Sequence, residues 1–283
     1  MKKHILIPTD FSKNAWNALN YAIELFKEDE CSFYLLNAYQ LYHFTTDSVI
    51  VPEPGEKSYE EAREKSEKGL EDLLDGLQSS MDNPNHRFEM ISVYNNVLKA
   101  VKETIKSKEI NLIVMGTKGE GNPMNVLYGS NAVTIIENVR KCPILVIPEI
   151  SQIPDGPGEV VFASNFKYYY KRRELNTMID IANRLKAPIR ILFVNGEGKL
   201  SDEQQSNKEI LTDYFEGIDY SFHTLTHLST APGIHAFMES RSSTILALYN
   251  RKHGFFKSLF TTSLVKELSE APQFPILVLQ EHN

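Results

Sequence analysis

Ile110-Asn111-Leu112-Ile113-Val114-Met115-Gly116-Thr117-Lys118-Gly119-Glu120-Gly121, then Gly129-Ser130-Asn131 after a short apolar loop, is the stretch that decides how the chain folds. The apolar run to Met115 has the length and composition of a buried parallel strand. From Ser130 to Arg140, Val133, Ile136 and Val139 recur at helical spacing. The unit is strand, glycine-rich loop, helix. Glycines let a backbone take positive φ and let a ligand come close. Gly129-Ser130 opens the helix, where unpaired N–H groups and the positive dipole end favour an anion. Ser130 either caps that helix or offers its hydroxyl to a phosphate oxygen. The glycine order is not the dinucleotide pattern, and Asn122-Pro123 stand where a P-loop needs Lys and Ser/Thr. Chemistry alone leaves two readings open, a phosphate cradle and a plain surface loop.

Working outward, residues 3–8 read as a first strand, and Asp10-Phe11-Ser12 as a turn with Ser12 as helix N-cap. Ala15, Leu19, Ala22, Ile23 and Phe26 then mark an amphipathic helix, followed by a strand over 32–38. A long excursion over 39–57 reads either as a lid bringing Tyr42 or Phe44 to a base, or as an ordered arm packed on the other half or on a second subunit. A polar helix over 58–78, a strand over 88–93 and a helix over 97–105 lead to the glycine unit, and a last strand spans 143–147. Strands alternating with helices imply an α/β fold with a parallel sheet covered on both faces. Such sheets bind ligands beyond the carboxyl ends of their strands, where strand order reverses.

Gly116-x-x-Gly119, nine residues, then Gly129-Ser130 resembles the nucleotide-binding signature of the universal stress protein family. The start, Ile5-Leu6-Ile7-Pro8-Thr9-Asp10-Phe11-Ser12, resembles the first strand and turn of its ATP-binding members. Cys142-Pro143-Ile144-Leu145-Val146-Ile147-Pro148 resembles their closing strand, so the likeness covers residues 1–148. The family topology sets strands one and four side by side, which would bring the Pro8-Thr9-Asp10 turn beside the glycine loop. The resemblance then implies ATP, ADP or AMP as ligand, with Mg²⁺ on the phosphates. The backbone of Gly116, Gly119 and Gly129, the Ser130 hydroxyl and the Asn131 N–H would hold the phosphates. Pro8, Thr9 and Asp10 would line the adenosine side, Ala38 would read adenine through its backbone, and Met115 would pack near the base. Asp10 is open between a ribose contact, a metal contact and a simple turn residue. The sequence departs from the family at Asn131, Ala132 and Lys118, and at Asn122-Pro123, which stiffens the loop; the cradle itself is intact.

At 283 residues the chain suits about two domains. Its 42% hydrophobic and 24% charged residues suit a globular protein with real cores. A net charge of −7 argues against a general nucleic-acid binder. No apolar run nears the roughly 18 residues a membrane span needs, and the short apolar start reads as a strand, not a signal peptide. Cys31 and Cys142 give no disulfide framework and read as small buried hydrophobes. A cytoplasmic protein is the expectation.

Residues 151–158, with Pro154, Gly156, Pro157 and Gly158, read as a linker. Beyond it the first half repeats: Val160 to Phe166 echoes the first strand and turn, and Phe274 to Leu279 echoes 142–147. The expected fold is two tandem doubly wound domains, over 1–150 and 158–283, forming an intramolecular pseudo-dimer; a homodimer is also open. The second signature is degenerate. Asn165 replaces the aspartate, and bulky residues follow Asn250, including Arg251, Lys252 and His253, which could hold some other anion. No ATP is expected there. His223 and His227 are placed on one face of a strand, too far apart at about 3.3 Å per residue to share a metal. Tyr168 to Arg173 mixes aromatics and charge as an RNA-binding patch would, but in an acidic protein reads rather as the solvated face of a first helical turn.

Three functions remain. The first is an adenine-nucleotide-binding stress or signalling protein without major catalysis. The second is an enzyme of the related α-hydrolase-like group, for which no Ser/His/Asp set is assignable; slow ATP hydrolysis would lack a visible base. The third is a ligand-free scaffold.

Overall fold

The structure, a computed structural model, describes residues 2–40, 43–44, 49–50, 52–80, 83–117, 129–194, 199–250 and 274–281. Each half is built from alternating strands and helices. In the first, β1 (Lys3–Pro8), α1 (Lys13–Leu25) and β2 (Cys31–Tyr39) lead to a small antiparallel hairpin, β3 (His43–Phe44) with β4 (Val49–Ile50). Then come α2 (Lys57–Ser80), β5 (His86–Tyr94), α3 (Val97–Ser107), β6 (Leu112–Gly116), α4 (Ser130–Asn138) and β7 (Ile144–Ile147). The second half runs β8 (Val160–Ala163), α5 (Arg172–Arg184), β9 (Ile189–Val194), α6 (Asp202–Tyr214), β10 (Tyr220–Leu225), α7 (Thr230–Arg241), β11 (Ile245–Asn250) and β12 (Ile276–Gln280).

One sheet carries ten of these strands in the order β10-β9-β8-β11-β12-β7-β6-β1-β2-β5. Each half contributes five parallel strands with the same internal order, so the halves are two doubly wound units. They join through the antiparallel pair β12–β7, in register Ile276 with Val146, Leu277 with Leu145 and Val278 with Ile144. Leu145 and Leu277 hold the same place in the repeat, so the joint is isologous, as in a two-fold dimer. The strands beside the joint read as continuous apolar runs because both faces are covered. Apolar cores on each face run without a break from Ile5 and Leu6 of the first half to Val160 and Val161 of the second. Both thiols are buried, Cys31 at the head of β2 and Cys142 before β7, and burial pushes each up to about 12.

The turns after β1 and β8 open with the same bonds. Thr9 N–H donates to Leu36 O and Ser164 N–H to Leu192 O, each at 2.9 Å. Phe11 N–H donates to Thr9 Oγ1 at 3.0 Å, Phe166 N–H to Ser164 Oγ at 3.1 Å. Phe11 and Phe166 both take left-handed backbone, φ 65° and 54°, a conformation that costs a bulky residue energy. The Phe11 ring lies against Gly69 of α2, where a Cβ would meet it at 2.6 Å. Ser12 caps α1, accepting the Ala15 N–H at 3.2 Å.

Ion pairs cross the joint on one face. Arg184 donates to both oxygens of Asp29, at 2.7 and 2.6 Å, and also pairs with Asp180, which Lys3 reaches at 2.7 Å. Asn17 Nδ2 donates to the carbonyls of Pro148 and Ser151, pinning the connection between the halves. Within the second half Glu159 accepts from Arg241 (2.8 and 2.6 Å), Ser243 (2.7 Å) and Arg190 (3.1 Å). Burial pushes this carboxyl upward, but these hydrogen bonds outweigh it and hold its pKa at about 2. Because the folded value lies below the unfolded one, the stabilisation is present above the ordinary carboxylate range and lost as pH falls toward 2. Glu159→Gln should therefore cost about 1.5–3 kcal/mol at neutral pH. It should also flatten the acid limb of the stability curve, measured by urea unfolding against pH.

Candidate functional site

The parallel pairing of β1 with β6, Ile5 with Leu112 and Leu6 with Ile113, sets the carboxyl ends of strands one and four of the first half side by side. Strand order reverses here, with β2 continuing on one side and β7 on the other. A cavity of about 190 Å³ opens at this point. Of the ten sequence-derived candidates, Pro8, Thr9, Asp10, Ala38, Met115, Gly116, Gly129, Ser130 and Asn131 line it; Gly119 lies outside the described residues.

Each is placed by a local rule. Pro8 ends β1, and Thr9 turns the chain under the bond to Leu36. Asp10 stands exposed at the rim, and one carboxylate oxygen accepts the Ser12 N–H at 3.2 Å, an Asx turn. Ala38 follows Leu36 by two residues on β2, so its backbone N–H and C=O point the same way as those of Leu36. With β1 finished at Pro8, they face the cavity. Met115 closes the floor and is buried. Gly129 is the N-cap of α4 and makes no side-chain cap; Ser130 is the first helical residue and not the cap itself. The first intrahelical bond runs from Val133 N–H to Gly129 O at 3.1 Å. The N–H groups of Ser130, Asn131 and Ala132 therefore point past the helix end, together with its positive dipole. Anions are held at such a place.

Sequence reasoning missed Asn14, Asn37 and Thr117. Asn14 is 4% exposed on the first turn of α1, and its Nδ2 donates to Thr117 Oγ1 at 3.0 Å. Asn37 Nδ2 donates to Thr9 O at 2.8 Å. Thr117 donates its N–H to Ile147 O and accepts the Gly129 N–H at 2.8 Å. The signal for Asn14 was a polar residue on the apolar stripe that continues through Ala18 and Ala22. Gly116 is glycine because a Cβ there would lie 2.9 Å from the Asn14 amide carbon.

The second half fills the same place with its own side chains. Ile5 pairs with Leu112 and Val160 with Ile245, so Tyr249 stands where Gly116 stands. By the starts of α1 and α5, Glu174 stands where Ala15 lines the first cavity. The Tyr249 hydroxyl donates to Glu174 Oε2 at 2.7 Å, and the Lys171 N–H donates to the same oxygen at 3.0 Å. Glu174 is 3% and Tyr249 7% exposed. Tyr170 packs edge-on against Tyr249, and its hydroxyl is bonded to Ser164 at 2.9 Å.

Other candidates separate. β10 ends at Leu225, and His227 sits beyond it in a left-handed turn of φ 62°, so the two histidines do not share a strand face. His223 is bonded to Ser221 Oγ at 2.8 Å, and burial, then Arg241 and Arg190, lower its pKa. α5 begins at Arg172, so Tyr168–Tyr170 precede it, and Tyr170 is core. Arg251, Lys252, His253, Lys118, Tyr42 and the side chain of Phe44 lie outside the described residues.

The sequence profile of the universal stress protein family matches residues 1–148. The chain belongs to the universal stress protein family. A universal stress protein of Methanocaldococcus jannaschii is 28% identical over 145 residues, 51% of this chain and 81% of that one. Among solved structures, a universal stress protein from Archaeoglobus fulgidus superposes with a TM-score of 0.70 at 18% identity, over 99% of this chain and 97% of that one. The cytoplasmic domain of a prokaryotic cation chloride cotransporter superposes with a TM-score of 0.56 at 10% identity, over 99% and 96%. These two structural likenesses concern the fold alone. Both cover the two halves of the chain.

Gly116→Ala should lower stability by about 1–3 kcal/mol, the range for overpacking a filled site. Chemical denaturation checks this. A variant as stable as the parent would show that Asn14 yields freely.

Proposed function

We propose that this universal stress protein binds one adenine nucleotide, ATP or its ADP and AMP forms, in the crevice between β1 and β6. Its occupancy would set the protein's conformation or partners, without rapid turnover. The convergence of nine of the ten candidate residues on one cavity carries the reading. They come from four stretches of chain that the fold brings together. The cavity is smaller than the ~300–1,000 Å³ of drug-sized pockets. It suits the adenosine part, while the phosphates run out over exposed Ser130 and Asn131 at the mouth of α4. Mg²⁺ would be held chiefly by the phosphates, with Asp10 at the rim in reach of either metal or ribose chemistry. Asp10 is the one titratable side chain among the described lining residues, which leaves slow hydrolysis at most. Among the described residues no helix is long and apolar enough to cross a membrane.

The scaffold reading is favoured by one observation, the filled crevice of the second half. Denaturing the purified protein and identifying released nucleotide separates the two. Calorimetry with ATP and Mg²⁺ should give one site per chain. Gly129→Val, which puts a branched side chain at the helix mouth, should weaken binding by about tenfold or more, or about 1.4 kcal/mol. Two equal sites would contradict the filled second crevice, and no release with no heat would favour the scaffold.

A further inference from the structure

We infer that Asn14 is the positioning residue of the crevice, tying its two lips together through Thr117. One lip is the Thr9–Asp10 turn that leads into α1, the other the end of β6 and the start of α4. They belong to different elements, and Asn14 and Thr117 are 103 positions apart in sequence. Asn14 bridges them from the first turn of α1, with its side chain buried against Gly116 and its Nδ2 on Thr117 Oγ1. Thr117 is 1% exposed and held on three sides: by Asn14, by Ile147 O on its N–H, and by the Gly129 N–H on its carbonyl. The last bond joins the two chain ends that flank residues 118–128 and fixes the N-cap of α4. Moving Asn14 therefore shifts Thr117, Thr117 shifts Gly129, and Gly129 re-aims the N–H groups of Ser130 and Asn131. A buried amide packed against Gly116 and bonded to Thr117 has few alternative positions, which is what a spacer requires.

The second half supplies the comparison. Where the first has Asn14, Gly116 and Thr117, it has Arg173, Tyr249 and Asn250. Asn250 there donates to Ile136 O in the other half, and the end of β11 is joined to the first turn of α5 by Tyr249 on Glu174 instead. The tie occurs in the half whose crevice is open and is replaced in the half whose crevice is filled.

The effect on affinity rests on the nucleotide reading above; the effect on geometry does not. The test measures both, using the full chain. Amide hydrogen exchange at Gly129, without ligand, reads the tie directly. Asn14→Ala and Thr117→Val should each speed that exchange about five- to tenfold, the worth of one neutral hydrogen bond. Val114 and Leu145 in the sheet should keep their protection. The double variant should be no faster than either single one, since both remove the same contact. Asn14→Asp, which can accept from the Thr117 hydroxyl, should restore Gly129 protection. ATP affinity by calorimetry should fall by a similar factor in Asn14→Ala. Unchanged Gly129 exchange in both Asn14→Ala and Thr117→Val overturns the inference, whatever the protein binds. Faster exchange in a protein that binds no nucleotide leaves the tie standing and removes the proposed ligand instead. If Asn14→Ala fails to fold, Thr117→Val probes the same bond from its other end.

Discussion

Everything at the site depends on one pairing, β1 beside β6. Parallel strands can be neighbours only through crossover connections, and here the connections from β1 and from β6 leave in opposite directions. α1 goes to one face of the sheet and α4 to the other. The gap between their first turns cannot be closed by backbone. It is lined by whatever the two strand ends and helix starts carry. In the first half they carry Thr9, Asp10, Gly116 and Gly129, so the gap stays open and polar. In the second they carry Ser164, Glu174 and Tyr249, so the gap is closed by side chains.

The fold was legible in the sequence because its signals are local. Apolar runs bounded by turns fixed the strands, the recurrence of Val160–Phe166 and Phe274–Leu279 fixed the repeat, and Ser12 fixed the start of α1. The lining of the first crevice was legible for a similar reason, since glycine positions and the Pro8-Thr9-Asp10 turn advertise backbone geometry. What stayed hidden is pairing at a distance. Nothing near Asn14 points to Thr117, and nothing near Tyr249 points to Glu174, 75 positions away. His227 was misplaced because a strand ending at Leu225 and one running two residues further have the same composition. Only the left-handed φ of the turn distinguishes them. The aromatic run Tyr168–Tyr170 was misread because a first helical turn and the loop before it share a composition. The four-residue longer turn of the second half holds Tyr170 against Tyr249.

The two halves share a frame and differ in content. The frame is symmetric where it has to be: Leu145 faces Leu277, and the turns after β1 and β8 make the same bonds. A buried carboxylate, Glu174, occupies the second crevice and takes a hydroxyl and an N–H. Those donors satisfy it much as donors in the first half would satisfy an external anion. The ion pairs differ as well. Glu159 gathers two arginines at the start of β8, while the corresponding stretch of the first half has His4 bonded to the Lys108 carbonyl.

The filled half is still coupled to the open one. Helices leave their last carbonyls without partners, and α4 ends at Asn138, so Ile136 O is one of these. It is satisfied at 3.0 Å by the buried side chain of Asn250, from the end of β11. The residue that corresponds to Thr117 has thus been turned from its own crevice to the far end of the helix that opens the other one. α4 is held at both ends by equivalent strand tips: Thr117 at its start, through Gly129, and Asn250 near its finish. A rigid helix of nine residues held this way presents its leading N–H groups in one direction. The half that has filled its own crevice is thus bonded to the open one beyond the β12–β7 joint. It braces the helix on which the open crevice depends.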